Sequence, residues 1–193
     1  MITANSVTTL DQIVLIGGSA GSLHVVISIL SGLKRDLQIP IVIVIHRKND
    51  AASNLGHLLD IRSHLRVKEA DDKEIIQSGI VYLAAADYHL LVEQNKHFAL
   101  DDSEKINFSR PSIDVTFQSI AEVFGAGVTA ILLSGANADG VEGMRFIQQA
   151  GGKILVQDPD SAQVAFMPQS AVDELKLDKV LAIDDIAPYI NAL

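Results

Sequence analysis

Unbroken apolar runs of strand length, rich in β-branched residues, recur at 13–16, 41–45, 80–83, 130–133, 154–156 and 180–183. Runs of this kind, without apolar-polar alternation, fit strands buried on both faces of a parallel sheet. Between most of them apolar residues recur three and four apart, over 23–33, 52–61, 113–124, 141–149 and 185–193, which predicts helices with one buried face. The alternation predicts an α/β fold, a doubly wound, mostly parallel, Rossmann-like sheet. The rhythm breaks between 81 and 100, where Leu90-Leu91-Val92 and Phe98-Ala99-Leu100 flank the polar Gln94-Asn95-Lys96. That pattern reads as a small antiparallel hairpin, followed by a solvated loop over 101–105. Met167-Pro168 reads as a helix start packed near the strand tips.

The first strand runs directly into Gly17-Gly18-Ser19-Ala20-Gly21, ahead of the first helix. Glycines permit positive φ and close backbone approach, and the N–H groups opening a helix suit a developing oxyanion. The letters spell G-x-S-x-G, but the turn ends the first strand and no Ser, Asp/Glu, His chain order follows, unlike the α/β-hydrolases. G-x-G-x-x-G is absent, and no Gly-Lys-Ser/Thr completes a P-loop. The turn alone therefore leaves open a plain glycine-rich turn or phosphate cradle on one side and a nucleophile on the other.

In an open α/β sheet, loops leaving the carboxyl ends of the strands converge on one crevice. The second strand ends at His46, and 129–133 runs into Ser134-Gly135-Ala136-Asn137-Ala138-Asp139-Gly140. A serine at neutral pH needs a base, imidazole has a suitable pKa, and a carboxylate fixes its tautomer and steadies the imidazolium. Ser19, His46 and Asp139 can fill these roles. Their structural alternatives are a strand cap for His46 and a turn or helix N-cap for Asp139. His24 falls within the first helix pattern, His57, His64 and His97 read as solvated, and His89 beside Tyr88 is a candidate for the crevice wall.

Composition narrows the picture. The 193 residues, 48% of them hydrophobic, suffice for one well-buried core, so 1–193 is expected to form a single domain. With no cysteine, disulfides and thiolate chemistry are excluded, and no histidine pair has metal-site spacing. No metal and no cofactor is assigned. A formal charge of −9 with scattered basic residues argues against nucleic acid and anionic membranes as partners. No apolar run reaches spanning length and the start lacks the pattern of a signal peptide, so a soluble, cytoplasmic protein is expected.

Six motifs in order then resemble the catalytic domain of the CheB-type protein-glutamate methylesterases of bacterial chemotaxis. Ile16-Gly17-Gly18-Ser19-Ala20-Gly21-Ser22 is similar to that family's nucleophile turn, Ile-Gly-Ala-Ser-Thr-Gly-Gly, and Ile45-His46 to its strand ending in Gln-His. Val81-Tyr82-Leu83-Ala84-Ala85-Ala86-Asp87-Tyr88-His89 resembles Val-Tyr-Ile-Ala-Pro-Gly-Asp-x-His, and Arg110-Pro111-Ser112-Ile113-Asp114 resembles Arg-Pro-Ser-Val-Asp. Leu133-Ser134-Gly135-Ala136-Asn137-Ala138-Asp139-Gly140 resembles Leu-Thr-Gly-Met-Gly-x-Asp-Gly, and Gln157-Asp158-Pro159 with Ala162 and Met167-Pro168 completes the series. The Arg110 motif also reads as a helix start, with Pro111 in the first turn and Ser112 and Asp114 placing oxygens near its N–H groups.

The resemblance implies a Ser19-His46-Asp139 triad, with Ala20, His89, Arg110, Ala136 and Met167 as oxyanion or cleft residues. It implies hydrolysis of glutamate γ-methyl esters on the cytoplasmic helices of methyl-accepting chemotaxis receptors, with release of methanol, and deamidation of receptor glutamines as in many relatives. The chain departs from the pattern beside the chemistry: Ala20 and Ser22 near the nucleophile, Ala136-Asn137 near the acid, and no proline after His46. These departures keep a second reading open, a catalytically weakened adaptor or signalling module, and a third, an esterase or amidase for a small molecule. Family members usually carry an N-terminal receiver domain. With the first strand starting at 13, none is expected within this chain: the domain stands alone, is regulated by a separate partner, or has been cut from a longer protein.

Overall fold

The computed structural model describes residues 10–47 and 54–193, so the predicted helix start at Ala52 lies outside the described residues. The elements are β1 (Ile13–Gly18), α1 (Leu23–Gly32), β2 (Ile41–Ile45), α2 (Leu55–Arg62), β3 (Arg66–Glu69), β4 (Ile80–Leu83), β5 (His89–Val92) and β6 (Phe98–Asp101). They continue with α3 (Ile113–Phe124), β7 (Val128–Leu132), α4 (Val141–Gln149), β8 (Lys153–Gln157), α5 (Phe166–Glu174), β9 (Lys179–Leu181) and α6 (Ile183–Ile190). Seven strands form one sheet in the order β3-β4-β2-β1-β7-β8-β9. Every neighbouring pair in it is parallel, while β5 and β6 pair antiparallel as the expected hairpin.

Strand alternation divides the core into two layers. Ile13 and Leu15 of β1 pack with Ile113, Phe117, Met144 and Ala171 from α3, α4 and α5, while Val14 and Ile16 pack with Val25, Ile29, Leu59 and Ile186 from α1, α2 and α6. Helices cover both faces, so both side-chain sets of the central strands must be apolar, which is why those strands appear in the sequence as continuous runs. On α3 the stripe Ile113, Phe117, Ile120 and Phe124 is buried. Gly143 lets α4 approach it closely, since a Cβ there would stand 2.6 Å from Phe117 Cβ and 3.0 Å from the Asp114 Cα.

Two edges depart from the sequence expectation. β3 is an additional strand, pairing only with β4; Arg66-Val67-Lys68-Glu69 buries Val67 alone, and charge on an edge strand hides its pattern while discouraging further pairing. At the other edge β9 stops at Leu181, and Ile183 opens α6 with Asp184 and Asp185 in its first turn. Acidic residues there favour the positive end of a helix over extension of the strand.

From β1 the chain passes through α1 to β2 on one side, and from β7 through α4 to β8 on the other. The carboxyl ends of β1 and β7 therefore form the topological switch point, where such sheets leave a crevice.

Candidate active site

Strand pairing continues past the strand ends and gathers three loops. Leu133 N–H donates to the Gly17 carbonyl at 2.8 Å, Ser19 N–H to the Ser134 carbonyl at 2.9 Å, and His46 N–H to the Gly18 carbonyl at 3.2 Å. Ser19 is thus bracketed by the tips of β2 and β7. Its own carbonyl accepts Ser22 N–H at 3.1 Å and the Ser22 hydroxyl at 2.7 Å, which starts α1. The Ser134 hydroxyl donates to the Ala20 carbonyl at 2.8 Å. In a trans peptide the N–H points opposite to the C=O. The Ala20 and Gly21 amides therefore face away from these two bonds, and neither has a hydrogen-bond partner among the described residues. Gly21 takes the left-handed position of the turn at φ +79°, where a Cβ would meet Gln163 Cβ at 2.7 Å and Ser134 Oγ at 2.8 Å. Only glycine fits that position. Ser19 itself is half-buried, and its hydroxyl contacts no donor or acceptor among the described residues.

The acid side is built from two helix ends that cap each other. Asp139 is 1% exposed. Its Oδ1 accepts the Ser112 hydroxyl at 2.9 Å and Asp114 N–H at 3.1 Å, and its Oδ2 accepts Ile113 N–H at 2.7 Å and lies 2.6 Å from His46 Nε2. Asp114 answers with Oδ1, which accepts Gly140 N–H at 2.8 Å and Gly143 N–H at 2.7 Å. Each aspartate thereby satisfies orphan N–H groups at the start of the other's helix, where a negative charge is favoured. Burial opposes ionisation of Asp139, but the His46 ring and the Ile113 and Asp114 N–H groups outweigh it and hold the carboxyl down to about 2. Burial, reinforced by the Asp139 charge, pushes Asp114 up to about 7 despite its Gly143 and Gly140 donors. Of the pair, Asp139 ionises first.

An ionised Asp139 can only accept, so His46 must carry its proton on Nε2, and Nδ1 is the basic nitrogen. Nδ1 lies 3.3 Å from the Ser109 hydroxyl. The ring borders a cavity of about 420 Å³, lined also by Arg47, Asp87, Lys105, Phe108, Ser109 and Arg110. Arg47 is paired with Glu69, and Arg110 donates to the carbonyls of Asp102 and Ser103.

His46 and Asp139 are therefore in contact, Ser19 and Ala20 stand on the adjoining tip, Ala136 is exposed on the facing loop and Arg110 borders the cavity. Two cleft expectations need correction. His89 is 1% exposed and lies behind Ser112: its Nδ1 accepts Ser112 N–H at 3.2 Å, and its Nε2–H faces the Glu104 carbonyl at 3.0 Å. The start of α3 needs that acceptor, which turns the ring inward. Met167 is fully buried beneath Gly135, where a Cβ would lie 2.5 Å from Met167 Cε, and it supports the loop from inside. Met167 does belong to a helix start, since α5 begins at Phe166. Pro111 sits just before the N-cap Ser112, outside the first turn of α3, and Asp114 serves α4 instead of its own helix. Sequence reasoning did not single out Ser109, which reaches His46 only through tertiary folding. His24, His57 and His64 are exposed, and His97 is half-buried with Nδ1 3.1 Å from the Asn95 carbonyl. Among the described residues no cluster of three His, Cys, Asp or Glu side chains could hold a metal, and no helix is long and apolar enough to cross a membrane.

The fold is that of the Thermotoga maritima CheB methylesterase catalytic domain, whose crystal structure matches with a TM-score of 0.89 at 34% identity, over 94% of this chain and 97% of that one. The Thermotoga maritima protein-glutamate methylesterase/protein-glutamine glutaminase is 37% identical over 173 residues, 88% of this chain but 50% of the relative. A relative from Leptospira interrogans, provisionally named for the same two activities, is 41% identical over 176 residues, 91% of each chain. The CheB methylesterase family matches residues 14–190, and the chain belongs to that family.

Proposed function

We propose that this chain is a serine hydrolase that removes methyl groups from glutamate γ-methyl esters on the cytoplasmic helices of chemotaxis receptors. Ser19 is the nucleophile, His46 the base, and Asp139 the group that fixes and balances the imidazole. The observation that carries the reading is the 2.6 Å contact between His46 Nε2 and the buried Asp139, one strand tip from a serine on a glycine-rich turn.

Ser19 Oγ adds to the ester carbonyl carbon as its proton passes to His46 Nδ1. The Ala20 N–H, with Gly21 beside it, faces the oxyanion, and one such donor contributes about 3 kcal/mol to the transition state. Collapse breaks the bond to the methoxy oxygen, which takes the proton from His46 and leaves as methanol. Water then gives a proton to His46 as it attacks the acyl carbon, the bond to Ser19 Oγ breaks as Oγ takes that proton back, and the glutamic acid formed releases its proton to solvent as the carboxylate. A glutamine side chain follows the same course with ammonia as the leaving group.

That the Ser19 hydroxyl has no partner among the described residues favours one competing reading, an adaptor that keeps the fold without turnover. Methanol release from methylated receptor separates the two. Wild type is expected to release methanol, and Ser19→Ala to fall by about 10³-fold or more. Equal rates reject Ser19 as nucleophile, and no release by wild type favours the adaptor.

A further inference from the structure

With Nε2 committed to Asp139, Nδ1 of His46 is the nitrogen that must accept the serine proton. The hydroxyl within its reach is that of Ser109, at 3.3 Å. Ser109 closes a tight turn in which its N–H donates to the Ile106 carbonyl at 2.9 Å. Asn107 and Phe108 inside that turn are both left-handed, with φ of 50° and 62°, a conformation disfavoured for residues that carry a Cβ. Asn107 Nδ2 donates to Asp114 Oδ2 at 3.3 Å, which ties the turn to the paired carboxyl groups. Phe108 is 98% exposed. The same turn borders both the cavity beside His46 and a second one, of about 390 Å³, beside Asp139. It lies across the site, with an aromatic ring outside and a hydroxyl on the base inside.

We infer that Ser109 is a positioning residue that withholds the base: in the unliganded protein its hydroxyl engages His46 Nδ1, and a substrate pressing on the 106–109 turn releases that nitrogen to Ser19. The inference rests on the assignment of Ser19 and His46 as nucleophile and base. A single neutral hydrogen bond is strong enough to hold a ring nitrogen at rest and weak enough for a docking peptide to displace. It also accounts for a candidate nucleophile whose own hydroxyl is without a partner among the described residues.

A fluorophosphonate probe tests this, because in labelling Ser19 Oγ bonds phosphorus, fluoride leaves and the hydroxyl proton passes to His46. The labelling rate and the modified residue are measured for wild type, Ser109→Ala and Ser109→Thr. Ser109→Ala is expected to label Ser19 about two- to tenfold faster than wild type, the effect of removing one neutral hydrogen bond. Ser109→Thr, which keeps the hydroxyl, restores the wild-type rate. A purely structural role for Ser109 predicts no gain. Labelling of Ser19 without acceleration in Ser109→Ala, or an adduct on Ser109 itself, overturns the inference alone. Absence of label on Ser19 in all three proteins overturns the underlying nucleophile assignment as well.

Discussion

Asp139 and Ser19 follow neighbouring strands of one sheet, yet the carboxylate of Asp139 holds four contacts, from Ser112, Ile113, Asp114 and His46, while the Ser19 hydroxyl holds none among the described residues. A buried anion without donors is costly, so the fold surrounds Asp139 with the start of α3, the Ser112 hydroxyl and the His46 ring. A half-buried hydroxyl near solvent needs no such compensation. The contrast teaches that folding itself settles the orientation of the His46 ring, whereas in the proposed mechanism the engagement of Ser19 is left to the arrival of a substrate.

The largest break in this contrast is expected from Asp139→Asn. The amide nitrogen cannot accept hydrogen bonds, so either the helix α3 donors or the His46 ring loses its partner. Methanol release should fall by about 10³- to 10⁴-fold as the ring loses its tautomer and charge balance. A rate within tenfold of wild type would show that Asp139 has only a structural role.

Ser112→Ala attacks the scaffold around the acid. It removes the hydroxyl donated to Asp139 and the cap on Val115 N–H, an expected cost of about 1–2 kcal/mol, read from the urea midpoint. An unchanged midpoint would mean that water replaces both bonds without loss.

The smallest effect, and the sharpest in sign, belongs to Asp114→Asn. A carboxyl whose pKa is raised on folding binds protons that the unfolded chain has released, so stability falls as pH rises from about 4 to about 7, then levels off. Asp139, held down to about 2, acts oppositely: its stabilisation is present above about 4 and disappears as pH falls towards 2. Asn at 114 retains a carbonyl acceptor for Gly140 and Gly143 and cannot ionise. It should remove the decline between pH 4 and 7, leaving the variant more stable than wild type at pH 8. A wild-type stability curve already flat across that range would show that Asp114 ionises normally.

The doubly wound sheet was legible because its central strands are covered on both faces, which forces residues such as Ile41 to Ile45 to be apolar without interruption. β3 was not legible, because an edge strand with one covered face needs only Val67 to be apolar. Chain direction and strand length put Ser19 directly after β1, His46 directly after β2 and Asp139 on the loop from β7 to α4, positions that a local pattern can predict. Local rules failed where partners come from other elements: His89 was assigned to the crevice wall but serves the start of α3, and Asp114 was assigned to its own helix but caps α4.

From sequence alone came the layered architecture, the turn bearing Ser19, and the set of residues from which the proposed chemistry is drawn. Those are properties of short stretches, written in hydrophobic period, glycine placement and strand ends. The tertiary structure alone decided that Asp139 and Asp114 exchange helix ends, that Nδ1 is the His46 nitrogen turned away from Asp139, and that Ser109 meets it across 63 residues of chain. Such contacts depend on the relative placement of separate helices and loops to within an ångström, and no local pattern encodes that distance.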